Sequence, residues 1–163
     1  GGNRRQPHFV VVTDPEKRAG LAEIYSRACT PHVERMRGVY SPGVYSSAKY
    51  LIECLHDVPV HVIPCIEGRA EKDSAYLQAT LYGSVLPAAW SLMMALRARG
   101  LGSAWTTMHL AYEAEAAALL GIPDEMTQGA LLPVAYFIGD DFKRAPREPA
   151  RERTHWDAWG ENR

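Results

Sequence analysis

The sequence predicts an α/β or α+β domain in which a central sheet is flanked by helices. Short runs of apolar and β-branched residues, typical of strands, alternate along the chain with longer segments that carry helix-starting and helix-ending residues. Strands that alternate with helices are expected to form one sheet with helices packed on it. The 163 residues, 47% of them hydrophobic and 23% charged, fit one globular domain. We therefore predict a single domain over residues 1–163.

The first part of the chain predicts a strand, a helix and a long irregular segment. Residues 9–12 form a continuous apolar run, as in a buried strand. Asp14 and Pro15 then start a helix, because aspartate caps a first turn and proline fits into it. This helix is expected to end near Arg27. Residues 29–47 contain two prolines and two glycines, so we interpret them as irregular, with about one helical turn.

The middle of the chain predicts a short helix followed by a second strand. The helix covers residues 48–55 and the strand residues 58–66. Pro59 and Pro64 indicate that this strand lies at a sheet edge or ends at these positions, because proline lacks the N–H that a central strand uses. Residues 67–73 are a charged turn.

A long apolar helix dominates the next stretch. It ends before Gly100, after two arginines in its last turn. Pro87 is expected to kink this helix or to mark a break near Gly83. A glycine-containing turn follows, and then a segment up to Thr107 that is rich in aromatic and β-branched residues and predicts a buried strand.

The last third predicts one more helix, one more strand and a tail. Residues 113–120 are an alanine-rich helix that ends at Gly121, and Pro123 prevents its continuation. Residues 130–138 predict a strand. Residues 140–163 form a basic tail with an aromatic cluster, His-Trp-Asp-Ala-Trp, near its end.

Charge and composition exclude some partners. The net charge of -1 provides no field that would attract nucleic acid or an anionic membrane. Charge, glycine or proline interrupts each apolar run short of about 18 residues, so we expect no membrane span, and we see no signal peptide. Cys29, Cys54 and Cys65 form an odd set without disulfide spacing, which favours a reducing cytoplasm.

Motifs for other chemistries are weak. A zinc site remains a minor alternative, because cysteine and histidine recur near Cys29, Cys54 and Cys65, but no CxxC pair is present. The sequence has no GxSxG elbow of a hydrolase and no GxGxxG dinucleotide motif.

Several pieces of the sequence together resemble the nitroreductase family of FMN-dependent oxidoreductases. They occur in that family's order and spacing: Gly-Gly-Asn-Arg-Arg-Gln-Pro at the start, Gly-Leu-Gly-Ser-Ala-Trp-Thr-Thr at residues 100–107, Leu-Leu-Gly-Ile-Pro at 119–123, Leu-Pro-Val-Ala-Tyr at 132–136, Arg-Glu-Pro at 147–149 and the aromatic cluster at 155–159. The resemblance spans nearly the whole chain.

This resemblance implies a fold, a cofactor and a reaction. The fold would be a mixed sheet flanked by helices, in an interlocked homodimer with FMN at the interface. NAD(P)H would reduce the flavin, leave, and be replaced by a small acceptor such as a nitroaromatic or a quinone. Because the cofactor carries out the hydride transfer, no catalytic side chain is expected.

The resemblance also implies which residues bind FMN. Trp105, Thr106, Thr107 and Met108 match the family segment that passes along the flavin ring and approaches its N5 through backbone. Arg147 matches the family's basic position for the phosphate, where a guanidinium can bind bidentately, and Arg144 is a second candidate.

At the amino end, Gly2, Asn3 and Arg4 match the loop by which one subunit reaches the FMN of the other. Lys49 is a further guess, for the O2 edge of the flavin. The tyrosines of the predicted irregular segment, Tyr40 and Tyr45, are candidates for acceptor selectivity.

Two departures from the family leave alternatives open. The family's basic segment before the Gly-Gly-Asn loop is absent from this sequence, and the loop itself departs from the usual pattern at Arg5 and Gln6. The chain could therefore be a specialised relative, such as a reductive dehalogenase or a flavin-consuming enzyme. It could also be a flavin-binding or dimerisation module without turnover.

Overall fold

The computed structural model describes residues 7–70, 74–139, 142 and 144–162, and within them strands alternate with helices. The strands are β1 (Pro7–Val12), β2 (Val60–Glu67), β3 (Leu101–Ser103), β4 (Met126–Gln128) and β5 (Leu132–Tyr136). The helices are α1 (Pro15–Arg35), α2 (Pro42–Cys54), α3 (Ala75–Arg97) and α4 (Glu113–Leu120), and short 3-10 turns cover Leu55–Asp57, Met108–Tyr112 and Ala150–Arg153.

The described strands form one sheet in the order β1-β2-β5-β3, with β4 also paired to β2. This confirms the α/β class, but each described ladder is antiparallel, whereas the resemblance implied a mixed sheet. The connections explain the difference. Two consecutive helices, α1 and α2, join β1 to β2, so the chain arrives in the opposite direction. The single helix α3 makes β2 and β3 parallel, but β5 lies between them and runs antiparallel to both.

Helix α1 begins as predicted and is longer than predicted. The Asp14 carboxylate accepts a hydrogen bond from the Lys17 N–H over 2.9 Å, which is the expected N-cap. The helix continues past Arg27 to Arg35, with Pro31 inside it. An internal proline costs a helix about 3 kcal/mol. Burial of apolar side chains on both sides of Pro31 offsets this cost: Leu21, Ile24, Tyr25, Cys29 and Val33 all face the core.

The irregular segment predicted for residues 29–47 is therefore wrong. Only residues 36–41 lie between the two helices, and α2 already begins at Pro42. The Ser41 hydroxyl accepts from the Val44 N–H over 3.5 Å, and Pro42 fits the first turn. Serine followed by proline is a helix-start signal, which the prediction of an irregular segment overlooks.

Strand β2 is central, although its prolines predicted an edge or strand ends. Pro59 does precede the strand, but Pro64 lies inside it, paired with Phe9 of β1. The N–H and C=O of one strand residue point to the same side. The Pro64 C=O accepts from the Gly129 N–H over 2.8 Å, on the side where β4 ends and β5 has not yet begun. The missing N–H of Pro64 therefore coincides with a gap between two partner strands.

Two apolar clusters fill the two faces of the sheet. Alternation along β2 separates them, because Ile63 and Cys65 point to one face and Val62 to the other. The first face is covered by α1 and α4, which contribute most of its buried side chains. The second is covered by α3, through Ala89, Leu92, Met93 and Leu96.

Helix α3 runs without a break through Gly83 and Pro87, so the predicted break near Gly83 is wrong. It also corrects our expectation that each apolar run is too short for a membrane. No charged residue interrupts it before Arg97, and it is long and apolar enough to cross a membrane by length and composition. A single helix of this kind is weak evidence for a span. Few of its residues are buried; Trp90 and Met94 are more than half exposed.

The remaining elements agree in part with the predictions. Helix α4 has the predicted bounds, and Gly121 follows it in the left-handed conformation at φ 68°. Strand β5 is shorter than the predicted 130–138, and β4 was missed because its three residues are too few to show a period. Strand β1 was expected to be buried, but Phe9 and Val11 are largely exposed.

Candidate functional site

Strand β3 lies at one edge of the sheet, and its ladder to β5 continues past its end. The Ala104 N–H donates to the Pro133 carbonyl over 3.3 Å. Two residues on, the Thr106 N–H donates to the Leu131 carbonyl over 3.2 Å, and the Leu131 N–H donates back over 2.8 Å. The chain therefore stays in strand register up to Thr106. We call residues 105–108 the exit segment.

The exit segment presents unpaired backbone groups at the open edge of the sheet. The N–H groups of successive strand residues point to opposite sides. Because Ala104 and Thr106 bond to β5, the N–H of Trp105 points to the open edge. Neither the Trp105 N–H nor the Thr107 N–H has a hydrogen-bond partner among the described residues. Both donors are available to a ligand that lies along this edge.

The exit segment differs from the buried strand that the sequence predicted. The strand proper ends at Ser103, Trp105 is 39% exposed and Thr107 is exposed. Thr106 alone in this segment is buried, and Met108 is half-buried against the first apolar cluster. Within the described part of the chain no strand covers this edge, so its alternate residues face outward.

The buried Thr106 side chain connects the exit segment to the protein interior. Its hydroxyl accepts from the Met108 N–H over 3.4 Å and also lies near the phenol of Tyr25 on α1. Burial raises the pKa of Tyr25, as does the neighbouring Cys29, while the Thr106 hydroxyl opposes that rise. The Thr106 side chain thus serves the protein interior. Backbone groups of its neighbours, rather than this side chain, are presented at the open edge of the sheet.

Two apolar grooves flank β3. The first, which we call the edge groove, has a volume of about 290 Å³ and lies between α2 and the β3–β5 edge, with Tyr50, Cys54, Ala104 and Tyr136 in its wall. The second, of about 510 Å³, lies between α3 and β3. There the Arg97 guanidinium is 4.1 Å from the centre of the Phe137 ring. The lining of the edge groove extends to Ala104, the residue before the exit segment, and is mainly apolar.

The basic candidates are not brought to the exit segment by any described contact. Arg144 and Arg147 are exposed, and Arg147 donates to the Pro146 carbonyl over 3.0 Å. Gly2, Asn3 and Arg4 lie outside the described residues, as do Arg5 and Gln6. The assignment of these residues to a ligand phosphate stays a prediction.

The predicted selectivity tyrosines make internal contacts. The Tyr45 hydroxyl donates to Glu34 over 3.0 Å, and the Tyr40 hydroxyl lies 3.0 Å from His32 Nε2. Tyr45 packs against the first apolar cluster and belongs to α2. Lys49 faces Glu34 in a separate small cavity between α1 and α2. Of the two α2 tyrosines, Tyr50 is the one that lines the edge groove.

A buried polar group next to the exit segment was missed by the sequence reasoning. His109 is completely buried, and neither ring nitrogen has a hydrogen-bond partner among the described residues. Burial lowers its pKa to about 4, an effect that the nearby Glu113 and Gln128 oppose. The imidazole is therefore neutral at physiological pH. The only sequence signal is a histidine directly after the Trp-Thr-Thr-Met motif, which does not by itself indicate a role.

The described cysteines are free thiols: Cys29 and Cys65 are buried, and Cys54 is half-buried. Burial raises the pKa of Cys65 to about 11, which keeps it a neutral thiol. Among residues 7–70, 74–139, 142 and 144–162, no three histidine, cysteine or acidic side chains are grouped to hold a metal ion.

Among the described residues, the site is an apolar groove followed along the chain by two unpaired backbone donors, without an arranged acid, base or nucleophile. Such a site binds a flat ligand that brings its own chemistry. The sequence profile of the nitroreductase family matches residues 1–136. The chain belongs to the nitroreductase family.

Solved structures agree with this fold. The chain is similar to oxidised iodotyrosine deiodinase bound to FMN and 3-iodo-L-tyrosine, with 24% identity, a TM-score of 0.64, and coverage of 91% of this chain and 76% of that one. It is also similar to a mutant of NfnB, an FMN- and NADPH-dependent nitroreductase from Sphigopyxis sp. strain HMH, with 18% identity, a TM-score of 0.66, and 98% and 83% coverage.

A third similar structure is the NADPH:FMN oxidoreductase from Vibrio harveyi complexed with NAD+, with 17% identity, a TM-score of 0.61, and coverage of 100% of this chain and 64% of that one. At these identities the likeness shows a shared fold. No curated protein matches the sequence.

Proposed function

We propose that this chain is an FMN-dependent oxidoreductase that transfers hydride from NAD(P)H, through the flavin, to a small acceptor such as a nitroaromatic or quinone. The observation that carries the proposal is the exit segment. Its two unpaired N–H groups, on Trp105 and Thr107, come directly after Ala104, which lines an apolar groove of about 290 Å³. A flavin ring needs an apolar wall and donors for its polar edge, and this edge of the sheet offers both.

The residues of the chain bind and orient, while FMN supplies the hydride transfer. The N–H groups of Trp105 and Thr107 would donate to the polar edge of the ring. Thr106 holds both in place through its ladder bonds to Leu131. For the phosphate we propose Arg147, supported by Arg144 and by the loop that carries Gly2, Asn3 and Arg4. These groups supply guanidinium and backbone donors, which suit a dianion.

We also propose that two copies form a homodimer through the α3 face of the sheet. Large apolar side chains on this side are exposed in the single chain: Phe9, Val11, Tyr76, Tyr82, Trp90 and Met94. Exposed apolar side chains that share one face of a protein often mark an interface with a partner. A second copy that covers α3 would explain why a helix with no charged residue before Arg97 is exposed.

We propose a cytoplasmic location on the basis of the three free thiols, Cys29, Cys54 and Cys65. The likeness to iodotyrosine deiodinase makes a halogenated aromatic a second class of acceptor to test.

The first experiment is the visible absorbance spectrum of the purified protein after addition of FMN and desalting. We expect flavin bands that bleach on addition of NADPH or NADH and return on addition of a nitroaromatic or quinone. A protein that retains FMN but is not reduced by either nucleotide would be a flavin-binding module. A protein that releases all FMN would overturn the proposal.

A matched pair of variants tests the phosphate assignment. Arg147→Ala should weaken FMN binding about 10-fold, because a charge-assisted bond to phosphate would be lost. Arg151→Ala is the control, since Arg151 is also exposed on the same tail. The measurement is the Kd from quenching of FMN fluorescence. Equal Kd values for the two variants would exclude Arg147 as a phosphate ligand.

A further inference from the structure

His109 directly follows the exit segment, three residues after the last backbone bond to β5. Up to Thr106 the backbone is held by bonds to Leu131, and beyond it no described backbone bond reaches the sheet. Thr107 therefore lies between two fixed points, the buried Thr106 on one side and the completely buried His109 on the other. The direction of the Thr107 N–H depends on both.

A second orphaned group lies next to His109. The Gln128 side chain is close enough to interact with the imidazole, yet Gln128 Oε1 also lacks a hydrogen-bond partner in the described residues. Buried polar groups nearly always have partners. A neutral imidazole has one N–H donor and Oε1 is an acceptor, so the two orphans are complementary.

The orientation of Gln128 is set independently of His109. Its Nε2 donates to the Glu113 carbonyl over 3.0 Å, and its backbone N–H donates to Glu113 Oε1 over 3.0 Å. Because Nε2 faces a carbonyl, a flipped amide would place oxygen against oxygen, so Oε1 must be the atom left over. Arg69 in turn donates to both carboxylate oxygens of Glu113, over 2.8 and 2.7 Å.

This network is tied to the centre of the sheet. Gln128 lies in β4, directly opposite Cys65 of the central strand β2, and the Arg69 Nε donates to the Asp124 carbonyl over 2.9 Å. A bond from His109 to Gln128 would therefore connect the exit segment to β2, independently of the ladder to β5.

We propose that His109 is a positioning residue for the flavin: its imidazole N–H donates to Gln128 Oε1 and thereby holds the Thr107 N–H toward the polar edge of the ring. This inference rests on the proposed function. His109 does not touch the ligand and acts through the backbone of the exit segment.

The test compares His109→Leu, Gln128→Met and the double variant in the full-length protein. We expect each single variant to bind FMN at least 10-fold more weakly and to change the visible circular dichroism of the bound flavin. The double variant should be no weaker than the single variants, because both remove the same bond. The Tm of the protein without FMN should fall by about the same amount in the two single variants, because each leaves one partner of the same buried bond unpaired.

A matched control is His61→Leu, because His61 is also completely buried but its Nε2–H donates to the Leu55 carbonyl over 2.9 Å. It should lower the Tm and leave the circular dichroism of the bound flavin unchanged. His109→Gln, which keeps an amide donor, should recover part of the affinity.

Two outcomes overturn the inference in distinguishable ways. If the wild-type protein binds FMN and His109→Leu binds it equally well with the same dichroism, the positioning role is wrong and the proposed function stands. If the wild-type protein binds no FMN, both are wrong. A readout that needs no flavin is the imidazole N–H resonance of His109, expected to exchange slowly with solvent and to shift in Gln128→Met; an unchanged resonance also contradicts the bond.

Discussion

The two faces of the sheet differ in how completely the chain covers them. On the first face, α1 and α4 bury a large apolar cluster that includes Leu21, Val33 and Ile63. On the second face α3 stands alone, and its fully buried side chains are Val85 and Ala89. The first face provides the folding core of one chain. The second leaves apolar surface for another molecule, which we propose is a second copy.

The exit segment lies at the boundary between these two environments. Thr106 and His109 belong to the first face. Thr106 lies near Tyr25 of α1, and His109 lies near Gln128. Trp105 and Thr107 face outward at the open edge. A ligand site needs both conditions, because rigid support from a packed core keeps the exposed donors in a fixed direction.

The strongest test of the contrast is a truncation on each face. Leu21→Ala should lower the free energy of unfolding by about 2 to 5 kcal/mol, since it leaves a cavity in the apolar cluster on the first face. Trp90→Ala, at a side chain that is 59% exposed, should change the unfolding of the monomer by no more than about 0.5 kcal/mol. Chemical denaturation at low protein concentration measures both. Equal losses would mean that α3 belongs to the folding core.

The next prediction concerns the first face and the dependence of the free energy of unfolding on pH. The pKa of His109 is about 4 in the folded chain, against about 6.5 when unfolded. Between these values the unfolded chain binds a proton that the folded chain does not, so stability is complete above about pH 6.5 and falls as the pH decreases toward 4. Between pH 7 and pH 4.5, His109 alone should account for a loss of about 2 kcal/mol. Denaturation at pH 7 and at pH 4.5 measures the loss.

His61, whose pKa burial also lowers, contributes in the same direction. The His109→Leu variant isolates the part that belongs to His109, because its loss should be smaller by the stated amount. An identical pH profile in this variant would show that His109 is solvated in the folded protein.

The next prediction adds a charge to the second face, where α3 is exposed, to test the proposed dimer. Trp90→Glu should shift the protein from dimer to monomer, because a carboxylate would have to be buried without a partner. Analytical ultracentrifugation measures this, with Val39→Glu as the control at an exposed position between α1 and α2. A wild-type chain that is monomeric without detergent would contradict the dimer. One that needs detergent to stay in solution would favour a membrane partner for α3.

The smallest expected effect lies at the start of α1. Asp14→Ala removes the N-cap bond to the Lys17 N–H and should cost about 1 kcal/mol. Asp14→Asn keeps an acceptor oxygen and should recover most of this, as measured by thermal unfolding. If both variants lose equally, the charge near the helix dipole, rather than the cap bond, stabilises the first turn.

The errors in predicting where helices and strands are interrupted share one cause. Proline at 31, 64 and 87 predicts an interruption, yet each lies inside a helix or strand. Local propensity is a weak prior when a segment buries many apolar side chains, as α1 does, or when a missing N–H falls in a gap between partner strands, as at Pro64. Neither condition is visible in a local window of sequence.

Local sequence determined the helix caps at Asp14 and Gly121, the alternation of strands with helices, and the family, whose glycine, threonine and proline motifs are contiguous along the chain. It also located the exit segment, because that motif is local. Only the tertiary structure decided which groups in it are exposed. Whether the N–H of Trp105 is free depends on the register of β3 against β5, and whether His109 is buried depends on α1 and β4, all distant in sequence.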